Sequence, residues 1–143
     1  MNRARRNERG GVTVEAAVLT PAVALFIALV FFGGRVGLAH NAVDAAAADA
    51  ARTASLARDP NTAAAQARET GKWSLQDRNV RCASSTVDVD TSAFAAPIGT
   101  LANIEVDVRC VIDLSDLSLP GMPGTMTIEA TASSPLDAYR SRS

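Results

Sequence analysis

The chain has 143 residues, of which 14 are basic and 15 are acidic, so its formal net charge is −1. This balanced charge gives no electrostatic reason to expect a nucleic-acid partner. The length suits one small domain in addition to a leader and an apolar N-terminal segment.

The N-terminal region combines a basic leader with a long apolar run. Arginine occupies positions 3, 5, 6 and 9, and no charged residue occurs from Ala16 to Gly34. As a helix with a rise of 1.5 Å per residue, this run covers roughly 28 Å, close to the hydrocarbon core of a bilayer. We therefore predict a cytoplasmic leader over residues 1–10 and a transmembrane helix over 11–34. The positive-inside rule then predicts a single-pass protein of the cell membrane whose C-terminal region is extracytoplasmic.

A cleaved secretory signal is the alternative interpretation of the apolar run. The small residues Gly37 and Ala39 would suit a cleavage site. The apolar core of a signal peptide is usually about 7–15 residues long, however. Here the run is longer, and Arg35 comes before the cleavage site. The pattern favours an uncleaved span.

Residues 35–78 form an alanine-rich region with helical periodicity. Apolar residues recur at steps of three and four residues, at Ala39, Val43, Ala46, Ala50, Ala54 and Ala57. Polar residues occupy the opposite side, at His40, Asp44, Asp49, Arg52 and Ser55. Because alanine is the best helix former, we predict that the helix continues to about Arg58. The alanine face fits two interpretations equally well, as a cover for the chain's own sheet or as a contact with a partner.

A second, shorter helix is predicted over residues 61–70. Asp59 suits its N-cap, Pro60 suits its first position, and Gly71 suits the residue after its end. The side chains expected to anchor this helix on the sheet are Trp73 and Leu75.

From Val80 onward the hydrophobic period changes from 3.6 to 2, which predicts a sheet within residues 79–137. The clearest strand is 104–113, where even positions are apolar and odd positions are charged except Val111. A last strand over 125–132 places its even-numbered apolar residues on one face.

Two irregular segments accompany these strands. Residues 114–124 are rich in turn residues and predict a loop, and Ser134-Pro135 is expected to end the last strand. A polar tail is predicted at 138–143. The predicted fold class is α+β: a long N-terminal membrane-spanning helix that continues into an amphipathic helix, a short second helix, and a small antiparallel sheet of about three to four strands.

Cys82 and Cys110 both fall on the predicted exported side of the membrane. An oxidising compartment permits a disulfide, and closing a loop of this length stabilises a fold by roughly 3–4 kcal/mol. Aromatic residues are scarce, so the domain has a thin core and a covalent link would be useful. We predict the disulfide; the alternative is two separate buried thiols.

Residue patterns that carry enzymatic chemistry are few. His40 is the sole histidine, which leaves no His-based metal cluster, and there is no Walker loop, dinucleotide fingerprint or paired-cysteine zinc motif. Four acids could line the outer face of the sheet and hold Ca²⁺: Asp88, Asp90, Asp107 and Asp113. Solvent-facing strand positions are usually polar in any case, so we expect a solvated face. We predict no enzymatic activity, no cofactor and no metal.

The segment from Gly10 to Glu15 has two interpretations. In the simpler one, Glu15 is a first-turn acid favoured by the helix dipole, worth about 0.3–1 kcal/mol, and the glycines are a flexible linker. In the other, an ionisable residue at the N-terminal end of a transmembrane helix marks a functional site. Residues 9–21 read R-G-G-V-T-V-E-A-A-V-L-T-P. A basic leader, a glycine and a glutamate that opens an apolar helix resemble type IV pilin-type prepilins.

More narrowly, this segment resembles the TadE-like pseudopilins of bacterial tight-adherence (Flp/Tad) pilus systems, which typically read R-G-x-x-x-V-E-x-A followed by a hydrophobic residue and P. Ala16 stands where major Flp pilins carry an aromatic residue, which favours a minor, TadE-like subunit. The small-residue helix after the span and the ending at 128–140 also resemble the family.

The resemblance implies cleavage by a prepilin peptidase after Gly10, with Glu15 as the fifth mature residue; the second glycine leaves a cut after Gly11 open. It implies that Glu15 neutralises the terminal amine of an adjoining subunit, and that Pro21 has a role in assembly. The implied partners are the lipid bilayer, the peptidase and other pilin or pseudopilin subunits. The implied function is a minor pseudopilin in assembly of a Tad/Flp-type pilus or secretion apparatus. The alternative is an unprocessed, membrane-anchored binding or adhesion module.

Overall fold

The computed structural model describes residues 9–113 and 124–137, with side chains from Glu15 onward. Its elements are α1 (Arg9–Leu56), α2 (Pro60–Asp77), β1 (Cys82–Asp90), a 3-10 turn (Ser92–Ala95), β2 (Ala102–Asp113) and β3 (Thr125–Leu136). This architecture confirms the predicted α+β fold. Residues 1–8, most of the predicted 114–124 loop and the tail at 138–143 lie outside the described residues.

The chain divides into two compact units, an N-terminal unit over residues 1–37 and a C-terminal unit over residues 38–143. The described part of the N-terminal unit is the first portion of α1. The C-terminal unit contains the rest of α1, all of α2 and the sheet. The predicted domain limits, with the transmembrane helix at 11–34, stay predictions.

The sheet has three antiparallel strands in the order β1-β2-β3. Along β2 the even positions from Ile104 to Cys110 are buried, and the odd positions from Glu105 to Arg109 are exposed. We call the face that carries Ile104 the inner face and the face that carries Glu105 the outer face. This alternation follows from the period-2 pattern, because successive side chains of a strand point to opposite faces.

The inner face is covered by the chain's own helices. The alanines of α1 are buried together with the inner-face side chains; the members from α1 with no exposed surface are Val43, Ala46, Ala47, Ala50 and Ala54. Small side chains allow dense packing, which replaces the bulk of a larger core. The alanine face therefore serves this chain's own core, which decides between the two interpretations left open by the periodicity.

Helix α2 begins as predicted but ends later. The carboxylate of Asp59 accepts a hydrogen bond from the Thr62 amide at 2.9 Å, and Pro60 is the first helical residue. The prediction that Gly71 follows the end of the helix was wrong. The end is a Schellman motif in which Asn79 adopts φ 57°, and the amide of Val80 donates to the carbonyl of Leu75 at 3.1 Å.

Gly71 lies inside α2, at a close contact with the sheet. A Cβ placed there would lie 3.0 Å from a methyl carbon of Val87 and 3.6 Å from the Cβ of Ala50. Glycine is therefore used for close approach at this position rather than for a left-handed backbone. Of the two anchors predicted for this helix, Leu75 is buried, whereas Trp73 is 64% exposed and does not anchor it.

Strand β3 also runs further than the sequence predicts. Ser134-Pro135 was expected to end it, but the strand continues to Leu136, and Pro135 pairs with Asn103 of β2. Proline is tolerated here because β3 is an edge strand, where an amide that faces away from the neighbouring strand makes no ladder bond. The hydroxyl of Ser134 lies 3.0 Å from that of Ser55, which joins the end of β3 to the end of α1.

Candidate functional site

The head of α1 carries the sequence motif. The helix begins at Arg9, so Gly10 and Gly11 lie within its first turn. Glu15 follows one turn later, and its side chain is exposed. No described residue forms an ion pair with this carboxylate. An exposed acid at the start of an apolar helix is accessible to a cation supplied by another molecule.

The surface of the N-terminal unit is apolar on all sides of the helix. Its exposed large side chains are Val18, Leu19, Val23, Leu25, Phe26, Ile27, Leu29, Val30 and Phe31. At 100° per residue these positions, together with the partly exposed Phe32, surround the helix axis. A helix that is hydrophobic all round is either buried in protein or spans a membrane. In the described part of the chain, this is the one helix long and apolar enough to cross a bilayer.

Pro21 lies inside α1 without ending it. Its missing amide leaves the carbonyl one turn earlier, at Ala17, without the usual helical donor. The neighbouring hydroxyl of Thr20 donates to the carbonyl of Ala16 at 2.7 Å. This hydrogen bond gives the Thr20 hydroxyl an acceptor within the apolar segment. The sequence motif did not indicate this contact.

The two cysteines form a disulfide between the start of β1 and the end of β2. The Sγ atoms of Cys82 and Cys110 lie 1.99 Å apart, and the bond closes a sequence separation of 28 residues. Cys110 is fully buried in the core, whereas Cys82 is half-buried next to a register shift between Cys82 and Ser84. The disulfide joins the edge strand to the central strand at the point where their ladder is irregular.

A polar contact between α1 and α2 was missed by the sequence analysis, which placed Asp49 on the solvated side of its helix. The hydroxyl of Ser74 donates to the Asp49 carboxylate at 2.8 Å, and the Arg78 guanidinium lies 3.9 Å from the same oxygen. Ser74 is buried, so the carboxylate supplies the acceptor that this hydroxyl needs. Sequence spacing gave no sign of this contact, because the partners come from different helices.

The outer face of the sheet is acidic. Asp88 lies opposite Asp107, and Asp90 lies opposite Glu105. A hydrogen bond from the Ser92 amide, with a second from its side chain, lowers the pKa of Asp90. The Arg109 guanidinium pairs with Glu129 across β2 and β3 at 2.9 Å.

The four acids considered for Ca²⁺ do not all lie together. Among the residues that the structure describes, no group of three or more His, Cys, Asp or Glu side chains could hold a metal ion. Asp113 lies at the far end of β2 from Glu105, away from the other three acids considered for Ca²⁺. His40 is exposed on α1.

A shallow groove runs beside the disulfide, between the end of α2 and the start of β1. Its described lining consists of Lys72, Leu75, Gln76, Asn79, Val80, Arg81, Cys82 and Ser85. This described lining contains no histidine and no carboxylate.

Comparisons with known proteins add one match. A family model described as TadE-like protein matches residues 10–52. No match was found among curated proteins or among solved structures. The matched residues lie wholly within α1 and include Gly10, Glu15 and Pro21. The predicted resemblance is therefore confirmed, and over these residues the chain is TadE-like.

Proposed function

We propose that this protein is a minor pseudopilin, a structural subunit in the assembly of a Tad/Flp-type pilus or secretion apparatus. The observation that carries the proposal is the coincidence of the TadE-like segment at 10–52 with a helix whose first half exposes large apolar side chains on every side. A subunit of this kind is anchored in the cell membrane by that half and presents its C-terminal unit outside.

Processing by a prepilin peptidase is the first step of the proposed role. Cleavage after Gly10 makes Gly11 the new N-terminus and Glu15 the fifth residue of the mature chain. Glycine suits the cut because no side chain intrudes on the backbone in a protease cleft. Removing the leader also removes its arginines, so that the new terminal amine becomes the cation nearest to the start of the apolar helix.

The carboxylate of Glu15 then fixes the axial position of one subunit against the next; we call this its registration role. Within lipid, an unpaired carboxylate or amine is costly, so a subunit stacks favourably where its Glu15 meets the terminal amine of a neighbour. The exposure of Glu15 and the lack of an ion pair with any described residue support this role. Pro21 contributes by leaving the Ala17 carbonyl free within the same apolar segment.

The orientation follows from charge. The leader arginines favour a cytoplasmic N-terminus under the positive-inside rule. The C-terminal unit is then exported, and the Cys82–Cys110 disulfide is compatible with an oxidising compartment. The proposed partners are the bilayer, the peptidase and other pilin or pseudopilin subunits.

The N-terminal mass of the protein in membranes of its native host tests the processing step. We expect a chain that begins at Gly11, and we expect the full-length chain instead when the prepilin peptidase is deleted. Gly10→Leu should block the cut, whereas Gly11→Ala should leave it intact. A chain that starts at Met1 in the wild-type host would favour an unprocessed anchored module, and a start near His40 would indicate a secretory signal.

A second measurement tests the registration role of Glu15. Glu15→Gln keeps the size of the side chain and removes its charge, so we expect normal membrane insertion but a loss of co-purification with partner pilin subunits. Asp44→Asn is the matched control, because Asp44 is an exposed acid on the same helix within the C-terminal unit. Equal recovery of the partner subunits with Glu15→Gln and with wild type would rule out the pairing role.

A further inference from the structure

The two edges of the sheet are protected to different degrees. On the β1 edge, the ladder contains a register shift between Cys82 and Ser84, and the Arg68 side chain of α2 donates to the Val87 carbonyl at 3.4 Å. Bulges and covering elements are common devices that prevent an edge strand from pairing with another chain. Strand β1 has both a register irregularity and a covering side chain.

The ladder itself reveals which backbone groups of β3 face outward. In an antiparallel strand, each residue turns its N–H and its C=O to the same side, and successive residues alternate. The Val87 carbonyl points away from β2, so the next residue, Asp88, pairs with Asp107 through backbone hydrogen bonds. Val108 then turns its backbone groups toward β3, where its partner is Ala130. Even-numbered residues of β3 therefore bond to β2, and odd-numbered residues face outward.

Pro135 supports the same assignment independently. It is odd-numbered and has no N–H, so it fits only where the backbone faces away from the neighbouring strand. The residues that present both N–H and C=O on the outer edge of β3 are Thr125, Thr127, Glu129, Thr131 and Ser133. No hydrogen bond joins these backbone groups to another described residue outside the sheet.

The open edge of β3 lacks the protective features of β1. Its pairing with β2 is regular over the whole strand, from Thr125 to Leu136, without a shift of register. The strand contains no lysine or arginine, and its one proline lies next to its end. A long, regular and nearly uncharged edge is a ready template for an additional strand.

Charge indicates what kind of strand would fit. On the outer face of the three strands, six carboxylates accompany one basic side chain, that of Arg109; the acids are Asp88, Asp90, Glu105, Asp107, Asp113 and Glu129. A second copy of this strand would bring another acid to an already acidic face, whereas basic side chains would be attracted. On the inner face, the half-buried Ala130 and Ala132 leave room for small apolar side chains.

We propose that the outer edge of β3 binds an extended strand from a different subunit, in which basic side chains alternate with small apolar ones. The basic side chains lie on the acidic outer face, next to Glu129, and the apolar ones extend the inner face beside Ala130. Main-chain hydrogen bonds to the odd-numbered residues of β3 supply affinity, and the alternation sets the register. This interaction depends on the sheet alone, so it is independent of N-terminal processing.

Synthetic peptides test the proposal on the full-length protein in non-ionic detergent micelles. The probes are a capped ten-residue peptide that alternates Val and Lys, one that alternates Val and Glu, and a peptide of residues 125–134. We expect the Val-Lys peptide to bind at least tenfold more tightly than the other two in fluorescence anisotropy. We also expect it to slow amide hydrogen exchange at Thr127, Glu129 and Thr131, and not at Val87.

Two variants locate the binding edge. Thr131→Pro removes an outward N–H and should abolish binding of the Val-Lys peptide. Glu129→Lys keeps the backbone intact and should weaken that peptide at least tenfold while strengthening the Val-Glu peptide. Glu69→Lys is the matched control, because it changes net charge equally at an exposed site on α2, and it should change affinity less than twofold.

Several results would overturn the proposal. If the Val-Lys peptide protected the amides of β1 instead of β3 from exchange, it would not bind at the edge of β3. Equal loss of affinity in Glu129→Lys and Glu69→Lys would lead to the same conclusion. Tighter binding of the 125–134 peptide than of the Val-Lys peptide would make a second copy of this chain the occupant. If Thr131→Pro does not fold, the paired charge variants still decide the outcome.

Discussion

Helix α1 uses apolar residues in opposite ways along its length. In the N-terminal unit, large side chains such as Leu25 and Phe26 are exposed on all sides, whereas in the C-terminal unit alanines such as Ala46 and Ala50 have no exposed surface. One helix thus carries two apolar surfaces. Its N-terminal unit leaves the first exposed, and its C-terminal unit buries the second, the alanine face.

The difference shows that the size of the apolar side chains matters as much as their number. Alanine removes little surface from water, but it lets a helix lie close to strands, and many close contacts add up. Large side chains with no neighbours in their own unit need lipid or another helix around them. Substitutions that give one half of α1 a property of the other test this difference.

The largest effect on the C-terminal unit is expected from loss of the disulfide. With so much of the core made of alanine, replacing both Cys82 and Cys110 by Ala should lower the free energy of unfolding by about 2–5 kcal/mol. Urea denaturation followed by circular dichroism measures the loss, and reduction of the wild-type protein should reproduce it. Membrane association of the N-terminal unit should stay unchanged; an unaltered urea midpoint would mean that the core suffices without the covalent link.

A charge placed on the exposed apolar half tests whether it enters lipid. Leu25 is 60% exposed, and Leu25→Arg should raise the free energy of membrane insertion by about 3 kcal/mol. Leu56→Arg is the matched control, because Leu56 is an exposed leucine on the same helix but belongs to the C-terminal unit. Resistance to carbonate extraction should fall for the first variant only. Equal extraction of both variants would contradict the membrane assignment.

Overpacking the alanine face should destabilise the C-terminal unit. Ala50 has no exposed surface and lies near Gly71, so Ala50→Leu has no space for the added methyl groups. We expect a loss of about 1–3 kcal/mol in the free energy of unfolding. Ala48→Leu, at an exposed position of the same helix, should have little effect on the urea midpoint. If the two variants unfolded alike, the close packing of this face would be disproved.

The smallest effect is expected at the turn between the two helices. Hydrogen bonds from Thr62, through its side chain and then its amide, lower the pKa of Asp59 from its ordinary value of 3.8. A carboxyl whose pKa is lowered by folding adds stability above its ordinary pKa and loses it as the pH falls through the lowered value. Asp59→Asn keeps the cap but does not titrate, so its stability should fall less steeply with acid than that of wild type in urea titrations.

Much of the architecture could be predicted from the sequence because it rests on local patterns. The uncharged run predicted the apolar helix, the alternation from Ile104 to Cys110 predicted the buried strand, and Asp59-Pro60 predicted a helix start. These features depend on residues a few positions apart, whose geometry within one helix or strand is known in advance.

The wrong predictions concern residues whose role depends on a distant neighbour. A glycine at position 71 could mark either a helix end or a close contact with another element. Only the position of Val87 shows that it marks a close contact. With Gly71 held inside the helix by that contact, the Schellman motif forms later, at Asn79. Pro135 was expected to stop a strand, but it lies on an edge where its missing amide costs nothing.

The candidate functional residues also fall into those that the sequence reveals and those that it does not. The motif from Gly10 to Glu15 and Pro21 was evident from the order of residues alone, and the match at 10–52 falls on the same segment. The contact of Ser74 with Asp49 and the open edge of β3 were not evident, since both need the relative placement of separate elements.

The long apolar helix, the change from helix to strand and the TadE-like motif can all be recognised from the order of residues alone. The physical reason is that charge, side-chain period and capping act over a few residues. The packing of the elements against one another settles which apolar face is covered, why position 71 needs a glycine and which strand edge the other described residues leave unpaired. Those outcomes depend on contacts between residues that are far apart in the chain, so no local pattern contains them.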